Sequence, residues 1–331
     1  MLFAMVIVGG VTRLTHSGLS IVEWQPIVGT LPPLSDAAWQ EAFRKYQQTP
    51  EFRQVNFGMG LAEFKGIFWW EYAHRLLGRA IGIVYLLPLL YFVARRAIDR
   101  SLSWKLAGIF VLGGLQGALG WYMVQSGLVD EPRVNPLRLT AHLGLALVIY
   151  AAMLWVALGL LTPRKGSHHH PAPHRLWQFS LALTAIIFLM ALSGGLVAGN
   201  RAGLAYNTFP TMNGHWIPSE IFTMEPWYLN FSFNLATVQF NHRLIAWTLA
   251  ALVPWFWWCS TKVDLSRQAR WWCSALPVVL AVQIGLGITT LLFAVPVALG
   301  AAHQAGALLT FTTALIVSHQ LMDGAGPART N

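Results

Sequence analysis

WWEYAHRLLGR, Trp69–Arg79, opens a long apolar segment and carries three ionisable side chains, Glu71, His74 and Arg75. Ionisable groups within a bilayer are expensive and mark functional positions. Glu71 and His74 are three residues apart, so they project from one face of a helix. The stretch has an echo, VQFNHRLIAW, Val238–Trp247, with Gln239 in the place of Glu71 and His242-Arg243 in the place of His74-Arg75. One copy keeps a carboxylate and the other has an amide.

The surrounding chain is that of a polytopic membrane protein. Of its 331 residues, 55% are hydrophobic and 11% charged, against about 25% charged in soluble domains. The net charge of +9 is therefore read through loop topology. No basic cluster interleaved with aromatics lies outside the apolar segments, which argues against nucleic-acid binding. The two cysteines, Cys259 and Cys273, flank one short basic loop and supply neither a disulfide framework nor a Cys-rich metal site.

Eight apolar segments are expected. The first, MLFAMVIVGGV, is only about eleven residues, where a spanning helix needs about 20. It lacks signal-peptide features and reads as a truncated start. The others run roughly Gly66–Val93, Leu106–Val124, Leu137–Leu161, Leu176–Ala198, Phe240–Trp258, Trp271–Phe293 and Val297–Leu321. In the long first connection, Trp39, Phe43 and Tyr46 recur at helical spacing after Ser35-Asp36, suggesting a short interfacial helix. The connections after segments 2, 4 and 6 carry Arg95, Arg96, Arg100, Lys105; Arg164, Lys165, Arg175; and Lys262, Arg267, Arg270. Those after 3, 5 and 7 carry few basic residues. This places the first set, and both termini, in the cytoplasm.

The chain is duplicated. GGVTRLTHSGLS, Gly9–Ser20, matches GGLVAGNRAGLA, Gly194–Ala205, and the offset of 185 from Gly9 to Gly194 is kept by Gly18/Gly203, Gly29/Gly214 and Pro33/Pro218. QGALG, Gln116–Gly120, echoes QIGLG, Gln283–Gly287, and AHLGLAL, Ala141–Leu147, echoes AHQAGAL, Ala302–Leu308. Four spans per half is an even number, so the repeat is parallel rather than inverted. The expected fold is all-α: eight transmembrane helices as two pseudo-symmetric four-helix bundles, 1–162 and 176–331, joined by a cytoplasmic linker at 163–175.

Four histidines share one depth. His74 stands 21 residues before Arg95, His142 22 before Arg164, His242 20 before Lys262, and His303 20 before Asp323. At about 1.5 Å per residue, each lies about 30 Å from the cytoplasmic face, near the outer surface. Neutral imidazole is an axial ligand for haem iron. Two facing helices with one histidine each can clamp a haem, giving the pairs His74/His142 and His242/His303; pairing across the halves stays open. Gly78, Ala146, Ala246, Gly306 and Ala307 would give a porphyrin room. Arg75 and Arg243 suit haem propionates or serve equally as snorkelling anchors. Gln116 and Gln283 read as structural, bonding across helices. Glu71, one turn from a ligand in low dielectric, reads as an acid or base, so the chemistry is assigned to the first half and the resident cofactor to the second.

Plainer readings compete. A membrane histidine often serves only as an interhelical hydrogen-bond partner, Glu71 could bond a neighbouring helix, and four histidines could converge on zinc. His168, His169, His170 and His174 read as a solvated linker. His16 and His215 fall in outer loops, and His319 lies at the cytoplasmic end of segment 8, far from the four.

At GGVTRLTHSGLSIVEWQP, LAEFKGIFWWEYAHRLLGR, QGALGWYMVQSGL, RLTAHLGLAL, QFNHRLIAW and AAHQAGAL, the sequence resembles the haem A synthase family over nearly its whole length. The resemblance implies oxidation of the C8 methyl of haem O to a formyl group by successive hydroxylations, with water as oxygen source, for terminal oxidases. It implies a substrate site at Glu71, His74 and His142, and a haem b cofactor at His242 and His303. No cysteine lies in the first outer loop, so the chain looks like the cysteine-free class of proteobacteria and mitochondria. The implied location is the bacterial inner membrane, with the haem sites near the periplasmic side. Haem O synthase is a candidate partner, a homo-oligomer is admitted, and the membrane electron acceptor is left open. The rivals are a di-haem b-type cytochrome that only transfers electrons, and a transporter with histidines along a proton path.

Overall fold

The computed structural model describes residues 1–25, 28–129, 131–161 and 172–322. The expected Arg164 and Lys165, the histidines His168, His169 and His170, and the depth marker Asp323 fall outside the described residues, as does all of the 163–175 linker before Ala172. Eleven α-helices are described: α1 Leu2–Leu14, α2 Asp36–Gln47, α3 Pro50–Gln54, α4 Leu61–Ala94, α5 Arg100–Gln125, α6 Pro136–Leu161, α7 His174–Gly199, α8 Asn230–Phe233, α9 Leu235–Thr261, α10 Arg267–Leu292 and α11 Val297–Met322. Seven of them, α4 to α7 and α9 to α11, are long and apolar enough to cross a membrane. The protein is an all-helical, multi-pass membrane protein. The first apolar segment forms α1, which has 13 residues and is shorter than a span.

The helices start where the sequence supplies caps. Ser35 Oγ accepts from Ala38 N, Asp99 from Leu102 N, Asn234 Oδ1 from Thr237 N and Ser266 Oγ from Ala269 N. Each satisfies an amide that the first helical turn leaves without a partner.

The fold groups into two compact units, Met1–Ile149 and Tyr150–Asn331. In the first, α4 has 34 residues, about 50 Å at 1.5 Å each, so it exceeds the roughly 30 Å hydrocarbon core. Its start near Leu61 carries Phe64 and Phe68. The aromatic face of α2, Trp39, Phe43 and Tyr46, is buried against these two rings. The sequence suggested a short interfacial helix; its apolar stripe covers the start of α4. Tyr46 is fully buried, its hydroxyl lying between Asn56 Nδ2 at 2.6 Å and Glu51 Oε2 at 3.3 Å. Burial pushes its phenol well above the usual range.

In the second unit, α11 is the central element. Leu308, Phe311, Ala314, Leu315 and Val317 are all buried. Polar contacts tie the helices together: Thr184 Oγ1 lies 2.9 Å from Ser318 Oγ, and Tyr150 Oη lies 2.8 Å from Thr312 Oγ1. His319 is buried at the end of α11, edge-on to Trp155 with ring centroids 5.1 Å apart.

The packing of α2 on α4 generates a test. Phe64→Ala empties the centre of a five-ring cluster between α2 and α4 and should cost about 3–5 kcal/mol locally. Limited proteolysis in detergent should then cut within 36–56 well before the transmembrane helices unfold. Unchanged resistance there would count against the packing.

Candidate functional site

Each unit places two of the four predicted histidines against glycines of neighbouring helices. In the first unit, His74 of α4 faces Gly9 of α1; a Cβ on Gly9 would stand 3.1 Å from His74 Nε2. His142 of α6 faces Gly120 of α5, where a Cβ would stand 2.9 Å from Cε1. In the second unit, His242 of α9 faces Gly194 of α7 at 3.4 Å, and His303 of α11 faces Gly287 of α10 at 2.8 Å. His74 lies within electrostatic reach of His142, and His242 of His303.

A glutamine stands beside one histidine of each pair. Gln116 Nε2 donates to the His142 carbonyl at 3.0 Å and lies 3.4 Å from its Nε2. Gln283 Nε2 donates to the His303 carbonyl at 3.0 Å and lies 3.1 Å from its Nδ1. The other member of the second pair has a hydroxyl: Ser193 Oγ lies 2.7 Å from His242 Nδ1.

The carboxylate of Glu71 is buried and fully engaged. Its Oε2 accepts from Ser20 Oγ and Ile21 N, both at 2.8 Å. Its Oε1 accepts from Arg75 Nε at 3.0 Å and Nη2 at 2.7 Å. Arg75 also donates to the carbonyls of Ile21 and Glu23. Arg75 is thus turned onto Glu71 and the loop carbonyls. With Glu71 it ties the loop after α1 to α4 through charge-assisted bonds.

The echo performs the same task with different chemistry. Arg243 donates to Gln239 Oε1 at 3.2 Å and to the carbonyls of Tyr206, Pro210 and Thr211. Gln239 Nε2 donates to Ala202 O at 2.9 Å. The loop presents donors to residue 71 and an acceptor to residue 239. A carboxylate suits the first position and an amide the second, because a carboxylate only accepts whereas an amide also donates. The Glu/Gln asymmetry therefore has a local cause.

Several buried polar atoms beside the histidines are left without partners: His142 Nδ1, Gln116 Oε1 and Gln283 Oε1. Buried polar groups are normally satisfied, so these positions are open to a ligand. Among the described residues no three His, Cys, Asp or Glu converge on one point, which weighs against a zinc site built from four histidines. Paired imidazoles with open ring nitrogens fit a haem. A cavity of about 380 Å³ lined by Met212, Trp216, Phe240, Arg243 and Trp247 lies elsewhere: Phe240, Arg243 and Trp247 follow helical spacing on the side of α9 away from His242.

Two of the expected space-giving residues do other work. A Cβ on Gly78 would stand 3.3 Å from Met5 Cε, and one on Gly306 would collide with Gln283 Oε1. The glycines that meet the histidines are Gly9, Gly120, Gly194 and Gly287. All four sit in the repeated motifs, so the internal offset was the signal that could have found them. Ser193 carried no such signal, and Ser20, which closes the Gly9–Ser20 motif, is matched there by Ala205, which has no hydroxyl. His16 and His215 lie in loops outside these clusters.

The chain matches the family described as Cytochrome oxidase assembly protein, COX15-CtaA, over residues 1–315. It is 64% identical to a Heme A synthase of Nitrosospira multiformis, covering 97% of this chain and 90% of that protein. It is 58% identical to a Heme A synthase of Nitrosomonas eutropha, with 97% and 90% covered. It is 45% identical to Heme A synthase COX15 of Arabidopsis thaliana, with 96% and 72% covered.

The tether makes a prediction. Glu71→Gln removes the charge facing Arg75 and turns an amide N–H₂ toward two donors. Breaking a buried pair from one side costs about 3–5 kcal/mol. The unfolding midpoint in detergent should fall, and the loop at 15–25 should become open to protease. Gln239→Glu should open the loop at 202–211 in the same assay, by setting a carboxylate against a carbonyl. If Glu71→Gln leaves both readouts unchanged, the carboxylate is not a tether.

Proposed function

We propose that this chain, which belongs to the COX15-CtaA family of cytochrome oxidase assembly proteins, synthesises haem A from haem O. The observation that carries the reading is the histidine pair in each unit. Each ring is seated against a helix glycine, and unpaired buried polar atoms stand beside His142 and His303. The name that its relatives carry supplies the reaction class.

The reaction takes the C8 methyl of haem O to a formyl group. Two successive hydroxylations with water as oxygen donor give a hydrated aldehyde, which loses one water. In total the methyl and one water yield the formyl group, four protons and four electrons. The enzyme is then an oxidoreductase acting on a methyl group, with a membrane acceptor for the electrons.

His74 and His142 hold the substrate haem in the first half. Arg75 and Glu71 keep the first outer loop on α4 beside His74. Release of a proton to Glu71 would require Arg75, or Ser20 and Ile21, to let go of its oxygens. Glu71 therefore enters as a positioning residue in place of the general acid or base expected from the sequence. His242 and His303 hold haem b in the second half, with Arg243 and Gln239 fixing the loop above. Haem b, when bound, supplies one-electron transfer.

The architecture proposed for this function is two four-helix halves, 1–162 and 176–331, joined through 163–175. α1 serves as the first helix of the first half. Its Gly9 meets His74 as Gly194 of α7 meets His242, which supports the repeat. Arg95, Arg96, Lys262 and Arg267 mark the cytoplasmic side, so the histidines lie toward the periplasm of a bacterial inner membrane. Haem O synthase is the proposed donor of substrate, and a homo-oligomer is compatible with the exposed apolar helix faces.

The test is haem extraction and chromatography from cells lacking their own haem A, expressing this chain with a haem O synthase. Haem A in the extract is expected. Haem O and haem b without haem A, from correctly inserted protein, would favour an electron-transfer cytochrome. In the same cells His242→Met should remove or shift the haem b spectrum; an unchanged spectrum would overturn the cofactor site.

A further inference from the structure

The four membrane histidines differ in what their rings touch. His74 makes no ring hydrogen bond among the described residues. His142 and His303 face glutamine amide nitrogens, which only donate. His242 alone of the four faces a group able to accept a proton: Ser193 Oγ, 2.7 Å from its Nδ1.

Ser193 has one hydroxyl proton, and Met190 O stands ready to take it at 2.8 Å, one turn back along α7. A lone pair of Oγ is then free for an N–H from Nδ1. This arrangement leaves the His242 proton on Nδ1 and the lone pair on Nε2. Nε2 is then the metal-binding nitrogen. A ligating histidine regularly gives its other N–H to a fixed acceptor, which holds the ring and raises its basicity. The acceptor is rigid here, because Ser193 precedes Gly194, the residue against which the ring packs.

The corresponding position in the first half is Val8, at the same offset of 185 that relates Gly9 to Gly194. Valine has no acceptor. The two halves thus share the histidine and the glycine but not the hydroxyl.

We propose that Ser193 is a positioning residue that fixes the tautomer and orientation of His242, so that the second half retains its haem while the first half, with Val8, can release one. The proposal rests on the haem b reading given above. A cofactor has to stay bound through many turnovers, whereas a product has to leave. A fixed ligand in one half and an unfixed one in the other meets both demands with one scaffold.

The test compares wild type, Ser193→Ala, Ser193→Thr and His242→Ala, purified in detergent. Haem b content is read by the pyridine haemochrome spectrum, retention by transfer to excess apomyoglobin, and ligand basicity by the reduction potential. Loss of a hydrogen-bond partner of a metal ligand costs about 10- to 100-fold in affinity. Ser193→Ala should therefore lose haem b about 10- to 100-fold faster, with a higher potential because the imidazole donates less charge to iron. Ser193→Thr, which keeps the hydroxyl, should behave as wild type. The unfolding midpoint of haem-free Ser193→Ala should match haem-free wild type, which separates ligand positioning from general destabilisation. Wild-type retention and potential in Ser193→Ala, while His242→Ala loses its haem, would overturn the role of Ser193 and leave the haem site standing. Full haem b content in His242→Ala would overturn the haem site itself, and the inference with it.

Discussion

The arrangement depends on letting an imidazole stand between two helices in a medium that punishes unpaired polarity. An imidazole ring needs several ångströms of clearance from the backbone opposite. Here the clearance comes from glycine. Gly9, Gly120 and Gly287 each offer bare backbone where a Cβ would press on a histidine ring, closest at 2.8 Å for Gly287, while a Cβ on Gly194 would just touch His242 at 3.4 Å. Transmembrane helices associate through packing and hydrogen bonds, with little hydrophobic drive between them. Small residues therefore set how closely two helices meet. In this chain they also set where the rings sit and which ring edge stays open.

The loops are held by a second constraint, that a buried donor or acceptor has to find its opposite. Arg75 and Arg243 occupy equivalent places, and each gathers loop carbonyls onto the helix below. The residue one turn earlier completes each set. Glu71 meets the Ser20 hydroxyl and the Ile21 amide, and Gln239 meets the Ala202 carbonyl. The Glu71 carboxylate is saturated, whereas beside Gln239 the Nε of Arg243 is left without a partner. A carboxylate in a membrane-protein site thus does not by itself indicate proton transfer; its hydrogen-bond partners decide what it can do.

Much of the fold was legible because bilayer thickness imposes a length on each helix. Seven long apolar stretches became seven long helices, with ends within a few residues of those read from composition except at α4, α5 and α9. Those three begin about five or six residues early, at Leu61, Arg100 and Leu235. In α4 the extra turns carry Phe64, whose partner surface is Trp39, Phe43 and Tyr46. That contact joins residues far apart in sequence and was not visible in helical spacing alone, which showed only that α2 had an apolar face. The four histidines were singled out by their similar spacing to the next charged residue, and each is found against a helix glycine. Their glycine partners were latent in the repeats, since QGALG and QIGLG were recognised as copies without a reason for Gly120 and Gly287. Ser193 was not legible, because a serine in an apolar segment is common and its role depends on which ring faces it; Ser20 lies in a loop, and its role depends on the Glu71 carboxylate it meets.

The two halves show how one scaffold can diverge without changing its helices. The histidines, the arginines after His74 and His242, and the facing glycines are repeated. The differences lie one layer out, at Glu71 against Gln239 and Val8 against Ser193. The first difference follows from loop polarity. The second has no such local cause, since the helix backbone around Gly9 and Gly194 would accept either side chain. A hydroxyl inside an apolar helix also gains little for folding, because its proton only returns to the Met190 carbonyl of the same helix. Its useful contact is the one to His242. Where folding is indifferent between two side chains and only one of them touches a ring proposed to ligate haem, the choice is best explained by that proposed role.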